Sequence, residues 1–489
     1  MLDKTRPGEY NRNVTGKKNR WMEEGSMDSR VERFYNGLKG KKISVIGIGV
    51  SHSDLISRLR DYGAKVTAHD RRARSAVGEA ICNNFEAQGI ALRLGENYLE
   101  NIDADIVLRT PGMYFHQPVI DALRRDGVVV TSEMELFFDL CPCRTIGITG
   151  SDGKTTTTTL IAEILKEGGR RAHIGGNIGR PLMPILRDIR DNDFAVAELS
   201  SFQLISMRES PDIAVVTNIS PNHLDVHGNM QEYIDAKRNI VLHQNAFSRT
   251  VLGVDNELAA SFAADVRGRL FEFSVRRPVR TGAFLGGDGF LYASVNGERS
   301  KIIHKNELRL PGMHNIQNYL AAVCAVWGAV DVEAIRNVAM EFGGVEHRIE
   351  FVREKDGVRW YNDSIATTPT RTIAGLDSFG QKLIVIAGGY DKKVPFDPMV
   401  PKVVEKVKTL VLIGATADKI ETAVRADSGF SASGMTIIRA GSLEEAVEQA
   451  AVAAHSGDIV SLSPACASFD MFPNYETRGR RFKELVNAL

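Results

Sequence analysis

Short apolar runs alternate with helical patterns along most of this chain. Residues 43–46 form an apolar run of strand length, and a glycine-containing turn follows at 47–51. A helix is predicted at 54–62, because its apolar residues recur at helical spacing, and a second strand is predicted at 65–70. This order of strand, helix and strand is typical of a unit that contributes two parallel strands to a sheet.

The same alternation returns twice further along the chain. A strand predicted at 145–149 leads into a glycine-containing loop and a helix at 156–167, and a third series begins near Val358. The other predicted strands are at 104–108, 195–199, 213–218, 383–387, 409–413 and 459–462. The repeated order of strand and helix predicts an α/β protein with parallel sheets.

Chain length and pattern together predict three domains, with boundaries near Ser132 and Gly344 in a chain of 489 residues. We expect a Rossmann-like domain at 27–132, a central P-loop domain with a parallel sheet at 133–344, and a second Rossmann-like α/β domain at 345–489. Residues 1–26 are polar and lack an apolar period, so we expect them to form a disordered extension.

Composition narrows the classes of partner and the compartment. The chain has 61 basic and 61 acidic residues, so its formal net charge of zero provides no electrostatic attraction to nucleic acid or to a membrane surface. An odd, scattered set of cysteines is typical of a reducing cytosol rather than of a disulfide framework: Cys82, Cys141, Cys143, Cys324 and Cys466. No apolar run is long enough to span a bilayer, and the first residues lack the apolar core of a signal peptide. We therefore expect a cytoplasmic protein.

The most specific local motif lies between a predicted strand and a predicted helix, and it reads Gly150-Ser151-Asp152-Gly153-Lys154-Thr155. Glycines let backbone N–H groups wrap phosphate oxygens, and the helix N-terminus adds positive potential. In a P-loop the lysine reaches the β and γ phosphates, and the threonine that follows it holds Mg²⁺. Ile148 stands where the common P-loop pattern has its first glycine. The alternative is therefore a glycine turn without a ligand.

A second glycine-containing turn follows the first predicted strand. Gly47 and Gly49, with Asp70 about twenty residues further on, partly match the dinucleotide-binding pattern, but His52 occupies the position of the third glycine. The match favours nucleotide binding in general rather than NAD. The alternative is a tight turn between strand and helix that binds nothing.

Polar residues follow several predicted strands. Glu198 ends a buried strand in the same series as the P-loop, and carboxylates at such positions hold Mg²⁺ in NTPases. His223 follows the next strand, although a loop histidine is more often structural than a ligand. Asp363 and Lys392 also follow predicted strands, at the edge where open α/β sheets bind ligands. Taken by itself, Lys237 is interpreted as a surface lysine of a helix.

Taken together, these motifs resemble the Mur ligase family over nearly the whole chain, from Lys41 to Leu489. The segments that carry the resemblance are TGSDGKTTT at 149–157, GGNIG at 175–179, ELSSFQL at 198–204, TNISPNHLD at 217–225, LPGMHNIQN at 310–318, EHR at 346–348, NDSIATT at 362–368 and LSPACASFDMF at 462–472. Within the family, ELSSFQL and LSPACASFDMF are similar to the D-glutamate-adding branch.

The resemblance implies a ligase that uses ATP to activate a carboxylate as an acyl phosphate, which the amine of an amino acid then attacks. It implies ATP and two Mg²⁺ sites as cofactors, with UDP-N-acetylmuramoyl-L-alanine and D-glutamate as substrates in the synthesis of peptidoglycan precursors. The first domain would then bind the UDP substrate, the central domain ATP, and the third domain the amino acid and part of the nucleotide. We expect a monomer that binds neither nucleic acid nor a membrane.

The resemblance also implies a role for each matching residue. The nucleotide would be bound by Gly150, Ser151, Asp152, Gly153, Lys154, Thr155, Thr156, Asn315, Arg348 and Asp363. Mg²⁺ would be held by Thr155, Glu198, His223 and Lys237, and the catalytic residues would be Lys154, His223 and Lys237. The UDP substrate would be bound by Val50, Ser51, Asp70, Arg71, Thr110, Gly112, Asn177 and Gln203, and D-glutamate by Lys392, Ser468, Phe469 and Tyr475.

One of these residues would be chemically modified. Lys237 matches a lysine that this family carbamylates, and carbamylation turns the cation into a carboxylate-like anion that suits a Mg²⁺ site.

The sequence departs from the family at two of these places. Ile365 stands where many relatives carry a lysine, so the contact of that lysine is absent or comes from elsewhere, and our hypothesis is that Lys392 or Lys393 provides it. His52 in the first glycine turn is the second departure, and it affects the uridine contacts.

Three other functions are compatible with parts of the sequence. Another Mur ligase or a folylpolyglutamate-type synthase would share the ATP core and differ in the first and last domains. A nicotinamide-dependent dehydrogenase would account for Gly47 and Gly49 but not for the P-loop. A P-loop switch or scaffold without catalysis would leave Glu198, His223 and Lys237 without a role.

Overall fold

A computed structural model describes residues 29–221, 227–310, 312–391 and 395–489 of the chain. His223, Lys392, Lys393 and the predicted extension at 1–26 lie outside the described residues, and Val50 and Ser51 are described in their backbone alone. The described chain forms two compact units. Among the described residues, the first unit comprises the chain up to Asp152, the part from Arg170 to Leu252 and Asn256–Phe271, and the second comprises Gly153–Gly169, Gly253–Asp255 and the part from Glu272 to Leu489.

The amino-terminal part of the first unit is a parallel five-stranded sheet with strand order β3-β2-β1-β4-β5. Its strands are β1 (Lys42–Ile46), β2 (Lys65–Asp70), β3 (Ala91–Leu94), β4 (Ile106–Leu108) and β5 (Val129–Thr131). The helices are α1 (Ser29–Gly37), α2 (Val50–Asp61), α3 (Arg74–Val77), α4 (Glu79–Ala87), α5 (Pro118–Arg125) and α6 (Glu133–Leu140). Ile46 and Val107 of the sheet pack with Ile120 of α5, a helix that we did not predict, in an apolar core.

The first unit continues with five parallel strands in the order β10-β9-β6-β8-β7. They are β6 (Arg144–Thr149), β7 (Ala172–Gly176), β8 (Phe194–Glu198), β9 (Ile213–Val216) and β10 (Arg249–Gly253). All residues of β8 and β9 are buried, as expected for central parallel strands. Because parallel strands end at one edge, the segments that follow β6, β8 and β9 meet there.

Four helices follow along this part of the chain, and α7 belongs to the second unit. They are α7 (Lys154–Glu167), α8 (Ser201–Leu204), α9 (Met230–Leu242) and α10 (Glu257–Ala260), with short 3₁₀ helices at Met183–Asp188 and Ser261–Asp265. Asn229 caps α9 by accepting from the N–H of Glu232, which fixes the start of the helix that carries Lys237.

Four strands that we did not predict come next along the chain, and from Glu272 onward they belong to the second unit. They are β11 (Arg269–Ser274), β12 (Gly282–Leu285), β13 (Phe290–Val295) and β14 (Glu298–His304), and β12, β13 and β14 pair antiparallel. After a 3₁₀ turn at Lys305–Glu307 come α11 (Met313–Val326) and α12 (Val332–Glu341), which pack against α7. From Ile316 to Val326 only Gln317 of α11 is not buried, which explains its small-residue sequence.

The carboxy-terminal part of the second unit is a six-stranded sheet with order β15-β16-β20-β17-β18-β19, parallel except for β15. Its strands are β15 (Glu350–Lys355), β16 (Val358–Asn362), β17 (Leu383–Gly388), β18 (Val407–Ile413), β19 (Thr436–Arg439) and β20 (Ile459–Leu462). The helices are α13 (Pro369–Asp377), α14 (Val400–Lys406), α15 (Ala417–Ala426), α16 (Phe430–Ser433), α17 (Leu443–Ala453) and α18 (Tyr475–Ala488), with a 3₁₀ helix at Asp397–Met399.

The last strand of this sheet, β20, is inserted between β16 and β17. Such a reversal of strand order creates the crevice at the carboxyl edge in which doubly wound sheets bind ligands. The sheet is covered on both faces, since Leu383 and Val385 of β17 belong to one apolar cluster and Ile384 and Ile386 to the other.

The α/β class and the parallel sheets predicted from the sequence are confirmed. The boundaries near Ser132 and Gly344 stay a prediction. The predicted start of α2 at 54 is wrong, because α2 begins at Val50, whereas α7 begins at Lys154, within two residues of its predicted start near 156. In both cases a glycine, Gly49 or Gly153, precedes the helix, which therefore starts directly at the end of the turn. Within the described ranges, every helix is too short or too polar to cross a bilayer.

Candidate functional site

The first half of the P-loop, at the end of β6, is shaped by the end of β9. Gly150 has φ of +150°, and a Cβ there would collide with Thr217 Oγ1. The N–H of Ser151 donates to Asn218 O at 2.8 Å, and the N–H of Asp152 donates to Asn218 Oδ1 at 3.0 Å. Thr217 Oγ1 donates to Asp152 O at 2.6 Å. The loop therefore needs glycine at this position and takes its shape from two residues that lie far from it in sequence.

The side chain of Ser151 is part of this support. It is buried, donates to Ser220 O at 2.9 Å, and lies 3.0 Å from the Tyr233 hydroxyl. The N–H of Ser220 donates back to Ser151 Oγ at 2.9 Å. The Ser151 hydroxyl is therefore used in bonds that hold the loop in shape. We expect Ser151 to contribute to a phosphate site by fixing the loop backbone rather than by a side-chain contact.

Lys237 is not a surface lysine, so our interpretation of it from the sequence alone is wrong. Its side chain is 2% exposed, and its ammonium donates to Gly150 O at 2.8 Å and to Thr149 Oγ1 at 3.2 Å. The Nζ atom also lies 4.7 Å from the centre of the Tyr233 ring. The helical period of the sequence could not reveal this burial, because it depends on α9 packing its Lys237 face against the loop and beside the Tyr233 ring.

Glu198 lies on the strand next to the P-loop strand, paired in register with Ile148. Its carboxylate is 2% exposed, and Asn177 Nδ2 donates to Glu198 Oε1 at 3.0 Å. The structure thus brings together a predicted metal ligand and a residue predicted to bind the UDP substrate. Gln203 is also buried, and its Oε1 accepts from the Ser200 N–H in the capping box of α8.

The second half of the P-loop belongs to the second unit, where it starts α7. Gly153 adopts φ of +78°, and a Cβ there would collide with Asn318 Oδ1. Asn318 Nδ2 donates to Asn315 Oδ1 at 3.4 Å, and Arg348 Nη1 donates to Thr155 Oγ1 at 3.3 Å. Two predicted nucleotide residues, Asn315 and Arg348, therefore lie at the start of the helix that begins with Lys154.

Asp363 follows β16 at the switch point of the six-stranded sheet. It is buried, and burial raises the pKa of its carboxyl to about 7, while hydrogen bonds and nearby arginines act in the opposite direction. Its Oδ2 accepts from Ser463 Oγ at 2.9 Å, and its Oδ1 accepts from the N–H of Ile349 at 3.3 Å. Without a bound cation or nucleotide, the folded protein therefore keeps Asp363 protonated below about pH 7, and the carboxyl ionises above it.

This pKa predicts an unusual pH dependence for Asp363→Asn. Between about pH 4 and pH 7 the unfolded chain releases the Asp363 proton and the folded chain keeps it, so the contribution of Asp363 to stability falls as pH rises. Without ligands, we expect the variant to melt on the order of 2–4 °C higher than the wild type at pH 8 and no higher at pH 5. Thermal unfolding at both pH values measures this, with the exposed Asp397→Asn as control. Equal pH dependence in wild type and Asp363→Asn would contradict it.

Three of the residues predicted to hold D-glutamate, Ser468, Phe469 and Tyr475, follow β20 along the chain. Ser468 is buried, and its Oγ has no hydrogen-bond partner among the described residues. Phe469 is 64% exposed, and its ring meets that of Tyr390 edge to face at 5.8 Å. Tyr475 starts α18, and burial raises the pKa of its hydroxyl to about 12, so it stays protonated at neutral pH.

Sequence analysis missed Arg478, which organises this segment. Its side chain is fully buried, and it donates to Cys466 O at 3.1 Å, to Ala467 O at 3.3 Å and to Ser364 O at 2.9 Å. Burial lowers the pKa of the guanidinium to about 10, which still leaves it charged at neutral pH. On a helix of polar composition, Arg478 does not differ in sequence from the exposed arginines beside it.

Four residues predicted to bind the UDP substrate, Asp70, Arg71, Thr110 and Gly112, lie at or just after the ends of β2 and β4, the two neighbours of β1. Gly47 has φ of +91°, and a Cβ there would press on Thr110, so the glycine turn and the segment after β4 are in contact. Asp70 is buried, and its Oδ2 accepts from the N–H of Ile48 at 2.9 Å and from Arg72 Nη2 at 2.7 Å. Burial raises the pKa of the Asp70 carboxyl, but the hydrogen bonds from Arg72 and Ile48 and the charge of Arg72 lower it by more. The net effect is a lowered pKa, so the carboxylate stays ionised at neutral pH. Arg71 and Gly112 lie in the turns that follow β2 and β4.

No set of three or more His, Cys, Asp and Glu side chains in the described ranges is arranged to hold a metal ion. The oxygen donors that the prediction names there are the Thr155 hydroxyl and the Glu198 carboxylate, both of the hard type that Mg²⁺ prefers. At the two glycine positions a Cβ would collide with a neighbouring side chain, Thr217 beside Gly150 and Asn318 beside Gly153, so the loop backbone can lie close to its surroundings only because both residues are glycine. The described residues therefore fit a nucleotide with its Mg²⁺ in chemical type.

Two family profiles match the chain. The Mur ligase middle domain matches residues 148–326, which include the P-loop, Glu198, Lys237 and Asn315. The Mur ligase, glutamate ligase domain matches residues 347–466, which include Arg348 and Asp363.

Curated relatives match at full length. The UDP-N-acetylmuramoylalanine--D-glutamate ligase of Acetivibrio thermocellus is 50% identical over 466 residues, which are 95% of this chain and 100% of the relative. The protein of the same name from Clostridium acetobutylicum is 46% identical over 458 residues, 93% of this chain and 98% of the relative.

Solved structures of low identity share the fold. The UDP-N-acetylmuramate-alanine ligase of Thermotoga maritima has a TM-score of 0.54 at 20% identity and covers 92% of this chain and 99% of its own. The MurF protein of Acinetobacter baumannii has a TM-score of 0.53 at 17% identity and covers 92% of each chain.

Proposed function

The chain belongs to the Mur ligase family, and from this we propose that it joins D-glutamate to UDP-N-acetylmuramoyl-L-alanine in an ATP-dependent reaction of peptidoglycan precursor synthesis. The observation that carries the proposal is 50% identity over 95% of the chain to a relative named for that reaction. The reaction would take place in the cytoplasm, on a monomer with separate domains for the UDP substrate, ATP and D-glutamate.

The proposed chemistry has two steps. The terminal carboxylate of UDP-N-acetylmuramoyl-L-alanine attacks the γ-phosphorus of ATP, which forms an acyl phosphate and releases ADP. The nitrogen of D-glutamate, once it has lost a proton, attacks the acyl carbon, and the tetrahedral intermediate expels phosphate as the amide forms. Since phosphate is a far better leaving group than oxide, the protein's part is mainly to position the reactants and neutralise charge.

Residues from both halves of the P-loop would bind the nucleotide. The segment from Gly150 to Thr156 would surround the phosphates, although the N–H groups of Ser151 and Asp152 donate to Asn218 in this structure, and Lys154 would reach the oxygens of the transferred phosphoryl group. In the second unit, Asn315, Arg348 and Asp363 would contact the nucleotide. The bond from Arg348 to Thr155 supports this, because it places a guanidinium beside the predicted phosphate site.

Mg²⁺ would be held at two sites by Thr155, Glu198, His223 and a carbamylated Lys237. When bound, the ions neutralise the phosphate charge that develops during transfer. The position of Lys237 supports the carbamate, because its buried Nζ lies 2.8 Å from the carbonyl oxygen of Gly150, a residue of the P-loop. Carbamylation would replace a buried cation with a buried anion and so reverse the local charge.

Substrate contacts would come from the two outer domains. Val50, Ser51, Asp70, Arg71, Thr110 and Gly112 would hold the UDP moiety, with Asn177 and Gln203 toward the muramoyl side. Ser468, Phe469, Tyr475 and Lys392 would hold D-glutamate. The buried Ser468 hydroxyl supports this, because a hydroxyl without an internal partner can bond to a ligand carboxylate.

A phosphate-release assay tests the proposed function. Purified protein is given ATP, Mg²⁺ and UDP-N-acetylmuramoyl-L-alanine, with D-glutamate, L-lysine, meso-diaminopimelate or L-alanine as the amine. We expect release with D-glutamate alone. Release with another amino acid would indicate a different Mur ligase, and turnover of a folate substrate with glutamate would indicate a folylpolyglutamate-type synthase.

A further inference from the structure

Arg109 is the last residue before the predicted UDP-binding segment Thr110–Gly112, and it is buried. Its side chain is 1% exposed at the end of β4. Burial lowers the pKa of its guanidinium to about 10, so it remains a cation at neutral pH. A buried cation is costly unless its N–H groups are all used, so its hydrogen-bond acceptors indicate what it does.

The two Nη atoms of Arg109 bond to two different parts of the first unit. Nη1 donates to Thr110 O at 3.2 Å and to Met113 O at 2.8 Å, which closes the segment between them into a turn. Nη2 donates to Phe202 O at 3.1 Å and to Ser206 Oγ at 3.2 Å, in and just after α8. Ser206 Oγ in turn donates to Glu135 Oε2 at 3.0 Å.

The other end of the same segment is attached to α9. The Tyr114 hydroxyl donates to Glu232 Oε2 at 3.3 Å. Glu232 Oε1 lies 3.4 Å from His227 Nδ1, and His227 Nε2 lies 2.8 Å from Ser201 Oγ on α8. Residues 110–114 are therefore connected to α8 at both ends, directly through Arg109 and indirectly through Tyr114.

These connections join two groups of residues assigned to one substrate. Thr110 and Gly112 are proposed to bind the UDP moiety, whereas Gln203, the residue after Phe202, is proposed to face the muramoyl side. The distance between the two groups must match the length of the substrate between its nucleotide and its sugar. A planar guanidinium with fixed N–H directions sets such a spacing, and a lysine ammonium on a flexible stem does not.

We propose that Arg109 is a positioning residue for the acceptor substrate: by bonding Thr110 and Met113 on one side and Phe202 and Ser206 on the other, it sets the spacing between the UDP and muramoyl contacts. The inference rests on the proposed function, since the acceptor is taken to be a UDP-linked muramoyl compound. It assigns Arg109 no contact with the reacting atoms.

Binding measured without turnover tests this. The Kd of UDP-N-acetylmuramoyl-L-alanine is determined by calorimetry, without ATP, for wild type, Arg109→Lys and Arg109→Met. We expect the Kd to rise by about 10–50-fold in Arg109→Met and by somewhat less in Arg109→Lys, because charge-assisted bonds to two segments are lost. In steady state, the KM of the UDP substrate should rise similarly, while kcat and the KM values of ATP and D-glutamate change by less than about threefold.

Arg124→Met is the matched control. Arg124 donates to Phe115 O at 3.2 Å and pairs with Asp121 at 2.9 Å, so the variant loses an arginine at the same segment without touching the bonds to Phe202 and Ser206. Its Kd should stay within about threefold of wild type. If Arg109→Met does not fold, the Kd values of Arg109→Lys and Tyr114→Phe test the proposal instead. In Tyr114→Phe we expect the Kd of the UDP substrate to rise by about two- to fivefold, because one hydrogen bond is lost.

Three results would overturn the proposal: an unchanged Kd in Arg109→Lys, an equal rise in Arg124→Met, or a parallel rise in the KM values of all three substrates. Failure of the proposed function is distinguishable from these, because wild-type protein would then release no phosphate with D-glutamate. Calorimetry of the UDP substrate would still report on Arg109.

Discussion

Lys154→Ala is expected to reduce ATP-dependent phosphate release by about 10³-fold or more while the protein stays folded. Lys154 is the first residue of α7, and its cation would be the one nearest the transferred phosphoryl group. Removing it leaves that charge uncompensated in the transition state. The helix should persist, because alanine is the best helix former and the buried face of α7 starts only at Thr157.

The measurement is phosphate release at saturating substrates, with thermal unfolding to verify the fold. Lys166→Ala is the matched control, since Lys166 is an exposed lysine in the last turn of the same helix. Its turnover should equal that of wild type. Wild-type turnover in Lys154→Ala would disprove the phosphate-binding role of this loop.

Lys237→Ala is expected to reduce turnover by about 10²-fold or more, with partial recovery when chloride or a short carboxylic acid is added with excess Mg²⁺. If Lys237 is carbamylated in the active enzyme, the variant lacks an anion near the Mg²⁺ sites. A small anion can enter the space left by the side chain and replace that charge in part.

A second rescue reagent separates the carbamate from the unmodified lysine. In the structure, the ammonium of Lys237 donates to Gly150 O and Thr149 Oγ1, so its loss also leaves two buried oxygens without this donor. Recovery with methylammonium, and none with chloride, formate or acetate, would show that the ammonium itself is needed and would contradict the carbamate. Mass spectrometry cannot replace this test, because carbamates are lost on acidification.

The periodicity of the sequence was sufficient for the α/β class, because parallel strands buried on both faces are apolar runs that differ clearly from helices. It did not predict the antiparallel β12, β13 and β14. In β14 four of seven residues are exposed, so the apolar period that identifies a strand is weak there.

The positions of the P-loop glycines could be read from the sequence. The reason why each position requires glycine could not. Gly150 must lack a side chain because Thr217 lies against it, and Gly153 must lack one because of Asn318. Both neighbours are distant from the loop in sequence, and the segments that contain them, TNISPNHLD and LPGMHNIQN, do not by themselves predict a contact with a glycine. The family resemblance supplied the candidate residues of the site. The packing of distant side chains against the loop explains why Gly150 and Gly153 must be glycine.

Sequence alone determined the fold class, the alternation of strands and helices, and a glycine-containing loop of P-loop pattern between a strand and a helix. These are local properties, since they depend on residue type and spacing within about twenty positions. Only the tertiary structure decided that Lys237 is a buried cation bonded to Gly150, that Arg478 holds the segment after β20, and that Arg109 joins the loop after β4 to α8. Each of these depends on which distant segment lies opposite a side chain. A lysine or arginine has the same spacing and propensity on an exposed helix face as on a buried one, so its partners become known only when the chain is folded.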